Sequence, residues 1–257
     1  MCINKQRIVV NPEFERYGSF VSSLPDIFDS SGQTIYSKRN VVKRFQVEEN
    51  AVAIVKRYKV PNLIQRLAYS FYRKSKAERA YNYAALFLQK GIETPKPIAF
   101  IEIYQRGLFT DSYFVSTEDN RSSCNALLDS TFREAEELID NLVDFIISLH
   151  KKGIMHGDLN LSNILYWKEK DGNYSFSVID TNRSRFIDTP SKHRCLKNLM
   201  RMTHNFSVSA GLVAAYARKR GWDERECVDY VRKEIEAFEH RNDLKHSFRK
   251  KHKKRGK

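Results

Sequence analysis

The chain has 257 residues, of which 41% are hydrophobic, including 16 Phe and 13 Tyr. This composition supplies a substantial core for one large or two-lobed domain, and it excludes an intrinsically disordered chain. The net charge of +14 predicts an anionic partner, such as nucleic acid, anionic lipid or a phosphorylated substrate.

The N-terminal half begins with a mixed, turn-rich segment over residues 1–30. From Thr34 the pattern becomes strand-like. Two β-prone runs, 41–47 and 51–59, are separated by a short polar turn and predict an antiparallel hairpin. Pro61 then ends the second strand, because proline cannot donate a ladder hydrogen bond.

Two helices are predicted next. Apolar residues recur at helical spacing over 62–72 and again over 76–89, and Gly91 is a typical helix stop. Pro95 and Pro97 interrupt the chain before two further β-rich runs, 98–104 and 112–115.

The strongest helical pattern covers residues 132–149 and ends at a basic turn with Gly153. Two short strands follow, 163–167 and 175–179, around an Asp-Gly-Asn turn. From about Lys192 the pattern is helical.

The order of these elements, β-rich first and helix-rich second, predicts an α+β protein with two lobes. The smaller β-rich lobe covers about residues 1–115, and the larger helical lobe covers about 119–240. Residues 241–257 form a basic tail with nine Lys or Arg and one acid.

Cellular location is indicated by cysteine usage and hydropathy. The four cysteines form no CxxC pair, and the first ten residues contain no long apolar run. We therefore expect reduced thiols in the cytoplasm. No segment approaches the roughly 18–20 apolar residues of a spanning helix, so association with a membrane would be peripheral.

One cluster of polar residues carries a chemical signature. His156 precedes Asp158 by two residues, Asn163 follows Asp158 by five, and Asp180 ends the apolar run 176–179. Phosphoryl transfer needs a placed hydroxyl, metal ions to neutralise phosphate charge, and a cation on the non-transferred phosphates. An ordered Asp, Asn and Asp with this spacing is the kinase solution. The alternative is that His156, Asp158 and Asn163 are only turn and capping residues.

The stretch from Val41 to Asp180 resembles the protein-kinase-like superfamily, in a two-lobed kinase-like fold. Gly157 in place of arginine is typical of its small-molecule branch, including aminoglycoside and choline kinases, and of RIO kinases. More closely, the chain resembles the lipopolysaccharide core kinases of Gram-negative bacteria, which phosphorylate Kdo or heptose. The matching segments are Lys56-Arg57-Tyr58, residues 76–81, residues 91–97 and HGDLNLSNIL from His156.

The resemblance implies that ATP and Mg²⁺ are cofactors. Asp158 would be the catalytic base or would orient the hydroxyl, and Asn163 and Asp180 would hold Mg²⁺. Lys56 would contact the nucleotide phosphates, with Lys59 as the alternative lysine. Glu78 would be the helix glutamate that pairs with Lys56.

Three departures from the protein-kinase pattern stand out. Asp180 is followed by Thr181-Asn182 rather than Phe-Gly, and no APE triplet follows it. No GxGxxG precedes the predicted hairpin, so the nucleotide loop would be the segment from Ser37 to Asn40, where two cations could substitute for close glycine contacts. Because the APE triplet is missing, we expect no ordinary activation segment for protein substrates.

By this resemblance the chain transfers phosphate from ATP to a sugar hydroxyl of a lipid A–core glycolipid. The helix predicted over 62–76 carries apolar residues beside cations, and it either lies on an anionic membrane or packs on the β lobe. Two alternatives remain: a RIO-like protein kinase acting near ribosomal RNA, and a non-catalytic pseudokinase or nucleic-acid-binding module.

Overall fold

A computed structural model describes the backbone of residues 4–255 and the side chains of residues 5–241. It confirms the predicted α+β class, with a β-rich N-terminal region and a helical C-terminal region. The chain forms two compact units. Unit 1 comprises the chain up to Arg121 together with Ser177–Ser184, and unit 2 comprises Ser122–Phe176 and the chain from Arg185 onward.

The segment 177–184 was not predicted to belong with the β-rich region. One contact that places it there is a hydrogen bond from the backbone amide of Val178 to the carbonyl of Glu93, at 3.0 Å. Because this pairing joins residues far apart in the sequence, a local sequence pattern does not predict it.

Unit 1 is built on a six-stranded sheet in which every neighbouring pair is antiparallel, in the order β1-β5-β6-β4-β3-β2. Its strands are β1 Asn4–Val10, β2 Gln33–Ser37, β3 Val41–Glu48, β4 Ala51–Arg57, β5 Pro97–Gln105 and β6 Leu108–Thr117. The predicted hairpin is the β3–β4 pair. Strand β4 is central, so a side chain on it is held by neighbours on both sides.

Strand β4 alternates between the two faces of this sheet. Ala53 and Val55 are fully buried on one face, against a cluster that includes Val21 and Leu24. The alternation directs Lys56 to the opposite face. Its backbone pairs with Val42 and Phe114 on the flanking strands.

The prediction of a turn-rich segment over residues 1–30 is wrong. Besides β1, this segment contains a 3₁₀ helix at Pro12–Tyr17 and helix α1 at Gly18–Ile27. Tyr17, Val21, Leu24 and Phe28 are buried at helical spacing. The glycine at the start and a proline inside the helix obscured that period in the sequence.

Helices α2, Leu63–Phe71, and α3, Lys76–Gln89, lie where the apolar period predicts them. Each begins at a capping side chain. The Asn62 side-chain oxygen accepts from the amide of Gln65 at 2.9 Å, and the Ser75 hydroxyl accepts from the amide of Glu78 at 3.0 Å. Gly91 follows α3 with φ 65°, as expected of a helix stop.

Unit 2 is mainly helical. Its helices are α4 Ala135–Lys151, α5 Lys192–Leu199, α6 Phe206–Lys219 and α7 Glu224–Arg255. Its short strands are β7 Ser122–Ser123, β8 Ile154–Met155, β9 Ile164–Lys168, β10 Tyr174–Val178 and β11 Arg185–Phe186. Strands β10, β9 and β7 form one sheet, the last two residues of β10 being counted with unit 1, and β8 pairs with β11.

The predicted basic tail continues the backbone of α7 as far as Arg255. Its side chains beyond Arg241 and its last two residues lie outside the described part of the chain. Within the described residues, no helix has the length and apolar character needed to span a bilayer. Cys124, Cys195 and Cys227 are buried free thiols, and Cys2 lies outside the described residues.

Gly153 provides a test of this fold. It has φ 73°, and an added Cβ would lie 2.2 Å from the carbonyl oxygen of Ile187. We expect Gly153→Ala to lower the free energy of unfolding by roughly 2–4 kcal/mol, through backbone strain and the clash together. Gly107→Ala is the matched control, since Gly107 has φ 78° but open space around it, and we expect a loss of about 1 kcal/mol. Equal losses in chemical denaturation would contradict this prediction.

Candidate active site

The segment from His156 to Asn163 forms a compact turn in unit 2. The backbone amide of Asp158 donates to Nδ1 of His156 at 3.3 Å. Asn163 Nδ2 donates to the backbone carbonyl of Asp158 at 2.9 Å. The structure thus brings together two of the predicted site residues.

The amide of Asn163 has a defined orientation in this turn. Its nitrogen is committed to the Asp158 carbonyl, so its oxygen Oδ1 is the atom that could bind a cation. Asn160 caps the short 3₁₀ helix Leu161–Asn163 by accepting from the backbone amide of Asn163 at 3.1 Å. The residue that caps this helix is therefore Asn160, which the alternative interpretation of the motif as turn and capping residues did not include.

A buried hydrogen-bond chain supports the turn from behind. Asn198 on α5 donates through Nδ2 to the backbone carbonyl of His156 at 2.8 Å. Its Oδ1 lies 3.1 Å from Nε2 of His150, at the end of α4, and Nδ1 of His150 lies 2.8 Å from the Tyr216 hydroxyl on α6. Because Asn198 Oδ1 can only accept, Nε2 of His150 carries the proton and Nδ1 accepts from Tyr216.

His150 is held neutral in this chain. Burial lowers its pKa to about 4, with a smaller effect of Arg220 in the same direction and an opposing one from the hydrogen bond to Asn198. The sequence pattern identified His150 only as a helix end and did not identify Asn198 or Tyr216. The sequence contains little that would identify these two residues, because one Asn and one Tyr on separate helices form no local motif.

Unit 1 brings two further predicted site residues together. Lys56 Nζ lies 2.9 Å from Oδ1 of Asp180, and the two side chains are 17% and 30% exposed. The neighbouring Asn182 also donates to Asp180 Oδ1. Lys59, the alternative lysine, is exposed and contributes its backbone amide to Asn40 Oδ1 instead. The geometry therefore favours Lys56 over Lys59 as the partner of Asp180.

Asp180 has a strained backbone, with φ 60° and ψ 47° in the left-handed region. Non-glycine residues adopt this conformation at a cost of about 1 kcal/mol or more, and such residues are frequent at functional sites. The turn after it, Thr181–Arg183, packs against α3, where the Thr181 hydroxyl donates to the Ala80 carbonyl at 3.5 Å. This packing holds Asp180 in the strained conformation.

The expected ion pair between Lys56 and Glu78 is wrong for this structure. The Glu78 carboxylate instead contacts Arg7 on β1, at 3.2 Å, and Lys74, at 3.8 Å. Arg7 also bridges to Glu102 at 3.0 Å. The physical reason is that β1, which the sequence pattern left irregular, supplies a guanidinium fork that takes both carboxylates.

The predicted nucleotide loop is the turn between β2 and β3. Ser37 ends β2, and the amide of Lys38 donates to the carbonyl of Asn40 at 3.2 Å. The Asn40 side chain accepts from the amide of Lys59 at 3.2 Å, which ties this turn to the end of β4. Gly32, just before β2, has φ 78°, and its missing Cβ leaves room for the ring of Phe45.

A cluster of cations surrounds this part of unit 1. Burial lowers the pKa of Lys76, and the positive charges of Arg39, Arg183, Arg79 and Lys56 lower it further. Mutual repulsion of this kind is unfavourable unless an anion is bound among the cations. Apart from Lys56 and Arg39, sequence reasoning did not assign these residues to a site, because they come from separate segments.

A cavity of about 510 Å³ in unit 2 borders Asp158. Its polar lining includes Asp158, Asn160, Arg201, His204 and Glu239, and its apolar lining includes Leu161, Met202, Ile235 and Phe238. The backbone of Leu161 donates to the carbonyl of Met202 at 2.9 Å, so the wall of the cavity is tied to the turn. Polar groups around an apolar floor suit a sugar ring.

The donor set fits Mg²⁺ and a nucleotide. Mg²⁺ prefers one or two protein oxygen ligands together with phosphate oxygens and waters. In unit 2 the amide oxygen of Asn163 is an oxygen of this kind. In unit 1 the carboxylate of Asp180 is another, and the cation cluster there suits phosphates. Among the described residues, no group of three or more His, Cys, Asp or Glu could hold a metal, so a closed transition-metal site has no candidate there.

Comparison with known proteins supplies independent information. The model of a family described as "Lipopolysaccharide kinase (Kdo/WaaP) family" matches residues 30–233. A solved structure of WaaP in complex with acyl carrier protein superposes with a TM-score of 0.60 at 16% identity, covering 90% of this chain and 98% of that one. This similarity confirms the fold. Rio2 kinase from Chaetomium thermophilum, in an ADP/Mg²⁺-phosphoaspartate complex, gives a TM-score of 0.49 at 15% identity, covering 86% and 76%. A search of curated proteins found no match.

The neutral state of His150 predicts a pH dependence of stability. Its pKa is about 4 in the folded chain against 6.5 for an ordinary histidine, so the unfolded chain binds a proton that the folded chain does not. Stability should therefore fall as pH drops through 6.5, by on the order of 3 kcal/mol at pH 4.

The measurement is the free energy of unfolding between pH 7 and pH 4. His150→Gln should show a shallower decline than the wild type, since it removes this titration. His193→Gln, a change at an exposed histidine of α5, is the control and should follow the wild type. A parallel decline in all three proteins would contradict the assignment.

Proposed function

The chain belongs to the lipopolysaccharide kinase (Kdo/WaaP) family, and we propose that it transfers the γ-phosphoryl group of ATP to a hydroxyl of Kdo in a lipid A–core glycolipid. The observation that carries this proposal is the Asp158–Asn163 turn at the border of a cavity sized for a sugar. It is the arrangement that phosphoryl transfer to an alcohol needs, with a carboxylate beside the acceptor and an amide oxygen held in a fixed orientation.

Asp158 is the residue that acts on the acceptor. Asp158 lines the cavity, and a sugar hydroxyl bound there would donate a hydrogen bond to its carboxylate. In this role Asp158 orients the hydroxyl and accepts its proton as the oxygen attacks phosphorus. The buried chain through Asn198 and His150 holds the turn, so Asp158 needs little reorganisation.

Lys56 and the surrounding cations bind the phosphates of ATP. In other kinases the backbone amides of a glycine-rich loop bind the phosphates. Here the phosphates are bound instead by the side-chain charges of Arg39, Lys76, Arg79 and Arg183. Asn163 and Asp180 are the proposed magnesium ligands. The metal, when bound, neutralises charge on the phosphates. Ser37 and Asn40 belong to the β2–β3 turn that would cover the nucleotide.

The choice of Kdo over heptose rests on one lining residue, Arg201, rather than on the net charge of the cavity, whose lining also includes Asp158 and Glu239. Kdo is a sugar acid, whereas heptose has no carboxylate. Arg201 lines the cavity, and its guanidinium donates to the carbonyl of Gly157 at 3.4 Å, next to Asp158. A guanidinium presents several donors in one plane, so it can hold the turn and bind an acceptor carboxylate at the same time. His204 adds a second polar group.

The first test is phosphate transfer by the purified protein, with ATP, Mg²⁺ and Kdo-lipid A. We expect Asp158→Asn to lower kcat by about 10²–10⁴, because the hydroxyl loses its proton acceptor, with little change in KM for ATP. Asp171→Asn is the control, since Asp171 lies on an exposed turn where it contacts Asn173. Full activity in Asp158→Asn would refute the catalytic assignment.

The same assay distinguishes the alternative functions. Absence of transfer to every Kdo- and heptose-containing acceptor, together with phosphate on protein serine, would favour a RIO-like kinase. Absence of any ATP turnover would favour a pseudokinase or a binding module, whose affinity for RNA should fall steeply with salt.

A second prediction concerns acceptor choice. Arg201→Leu should raise KM for Kdo-lipid A by roughly 10–100-fold, because the carboxylate loses a charged partner, and it should leave KM for ATP unchanged. Arg194→Leu, at an exposed arginine of α5, provides a matched loss of charge and should have no effect. An unchanged KM for Kdo-lipid A in Arg201→Leu would contradict the assignment. So would a wild-type protein that phosphorylates an acceptor with a blocked Kdo carboxylate as well as the unblocked acceptor.

A further inference from the structure

Helix α2, Leu63–Phe71, has its polarity reversed relative to an ordinary surface helix. None of its residues is buried. An amphipathic helix of a globular protein normally turns its apolar stripe toward the core and its polar face toward water. In α2 the apolar stripe faces outward, which leaves a large apolar surface in contact with solvent.

The inward side of α2 is held by polar contacts. Arg66 Nε donates to the backbone carbonyl of Phe109 on β6 at 2.7 Å, and the Ser70 hydroxyl accepts from the amide of the same residue at 2.9 Å. The ring of Tyr69 contacts the ring of Phe109, with 5.3 Å between centroids. These contacts fix the rotation of the helix about its axis, so the outward stripe is a defined feature of the fold.

The outward stripe is the main concentration of exposed large apolar side chains in the described part of the chain. Leu63 is 60% exposed, Ile64 78% and Phe71 66%, at helical spacing. Val60, Leu67 and Tyr72 extend it, at 49%, 44% and 88%. Contiguous apolar patches of this kind on soluble surfaces mark interaction sites.

Along the sequence the charges beside the stripe have one sign, although in the fold Lys74 lies 3.8 Å from Glu78. No Asp or Glu lies between Glu49 and Glu78, while Lys59 precedes the stripe and Arg73 and Lys74 follow it directly. All three cations belong to exposed residues. An apolar face with a border of lysine and arginine is the composition of helices that lie in the headgroup layer of anionic membranes.

The shape of α2 favours a bilayer over a protein partner. Nine residues make a helix about 13 Å long, and its apolar side chains project from the surface rather than line a groove. A stable protein interface buries on the order of 1,000 Å² or more with complementary shape. A fluid lipid surface has no such requirement.

From these observations we propose that α2 is a membrane-docking element, whose apolar stripe inserts between anionic phospholipid headgroups while Lys59, Arg73 and Lys74 contact phosphate groups. The proposal does not depend on the catalytic function. Among its residues Lys59 contacts the predicted nucleotide loop through its backbone amide, whereas the proposed lipid contact uses its side chain.

The test is co-sedimentation of the full chain with vesicles of phosphatidylcholine alone or with added phosphatidylglycerol. We expect binding only to the anionic vesicles, weakening with salt. The double variant Ile64→Ser/Phe71→Ser should bind at least about tenfold less. Phe206→Ser, which removes an aromatic ring 40% exposed on α6, is the matched control and should bind as the wild type does.

A second measurement distinguishes loss of lipid contact from misfolding of the double variant. The variant Ile64→Trp should show added tryptophan emission that shifts to shorter wavelength with anionic vesicles and is quenched by brominated acyl chains. The proposal is overturned if the wild type does not bind anionic vesicles, if the double variant binds equally well with an unchanged thermal transition, or if the added emission of Ile64→Trp is insensitive to lipid. Loss of a dimer or of a protein complex in the double variant, without lipid binding, would likewise overturn it and assign the stripe to a protein partner.

Discussion

The buried hydrogen-bond chain from Tyr216 through His150 and Asn198 to the backbone of His156 holds the turn of residues 156–163 in place. It joins α6, α4 and α5 to one carbonyl group. A buried network is stable only when every donor has an acceptor, and here the neutral imidazole supplies one of each. The turn that carries Asp158 is short, but these hydrogen bonds anchor it to three helices.

In the proposed function, unit 1 binds the phosphates of ATP without a glycine-rich loop. Backbone amides need close approach and hence glycine, whereas lysine and arginine reach an anion from a distance. The cluster around Lys76 brings such side chains from the β2–β3 turn, β4, α3 and the segment after Asp180. The ion pair of Lys56 with Asp180 lies beside them and holds both groups in position.

The outward stripe of α2 and the cavity beside Asp158 are consistent with an acceptor that is anchored in lipid. A kinase for such an acceptor must work at a surface, and membrane contact would raise the local concentration of substrate. Reversed amphipathicity is costly in water, so its presence in a helix capped and bonded as firmly as α2 indicates a partner outside the folded chain itself.

Local sequence patterns were sufficient to specify most elements and the residues of the candidate catalytic turn. The β3–β4 hairpin, α2, α3 and α4 follow from apolar period and capping residues, since these are local signals. Asp158 and Asn163 could be identified because they have the five-residue spacing of the kinase pattern, and in the structure a hydrogen bond joins them. The family resemblance, carried by the same segments, agrees with the family match.

Contacts between residues that are distant in the sequence were decided only by the folded structure. Glu78 pairs with Arg7 instead of Lys56, because β1 lies beside β5 at the sheet edge, and residues 177–184 return to unit 1. Asn198 reaches His156, and the apolar stripe of α2 faces outward. Each of these outcomes depends on long-range packing, and a local pattern specifies which face of an element is apolar without specifying what that face will contact.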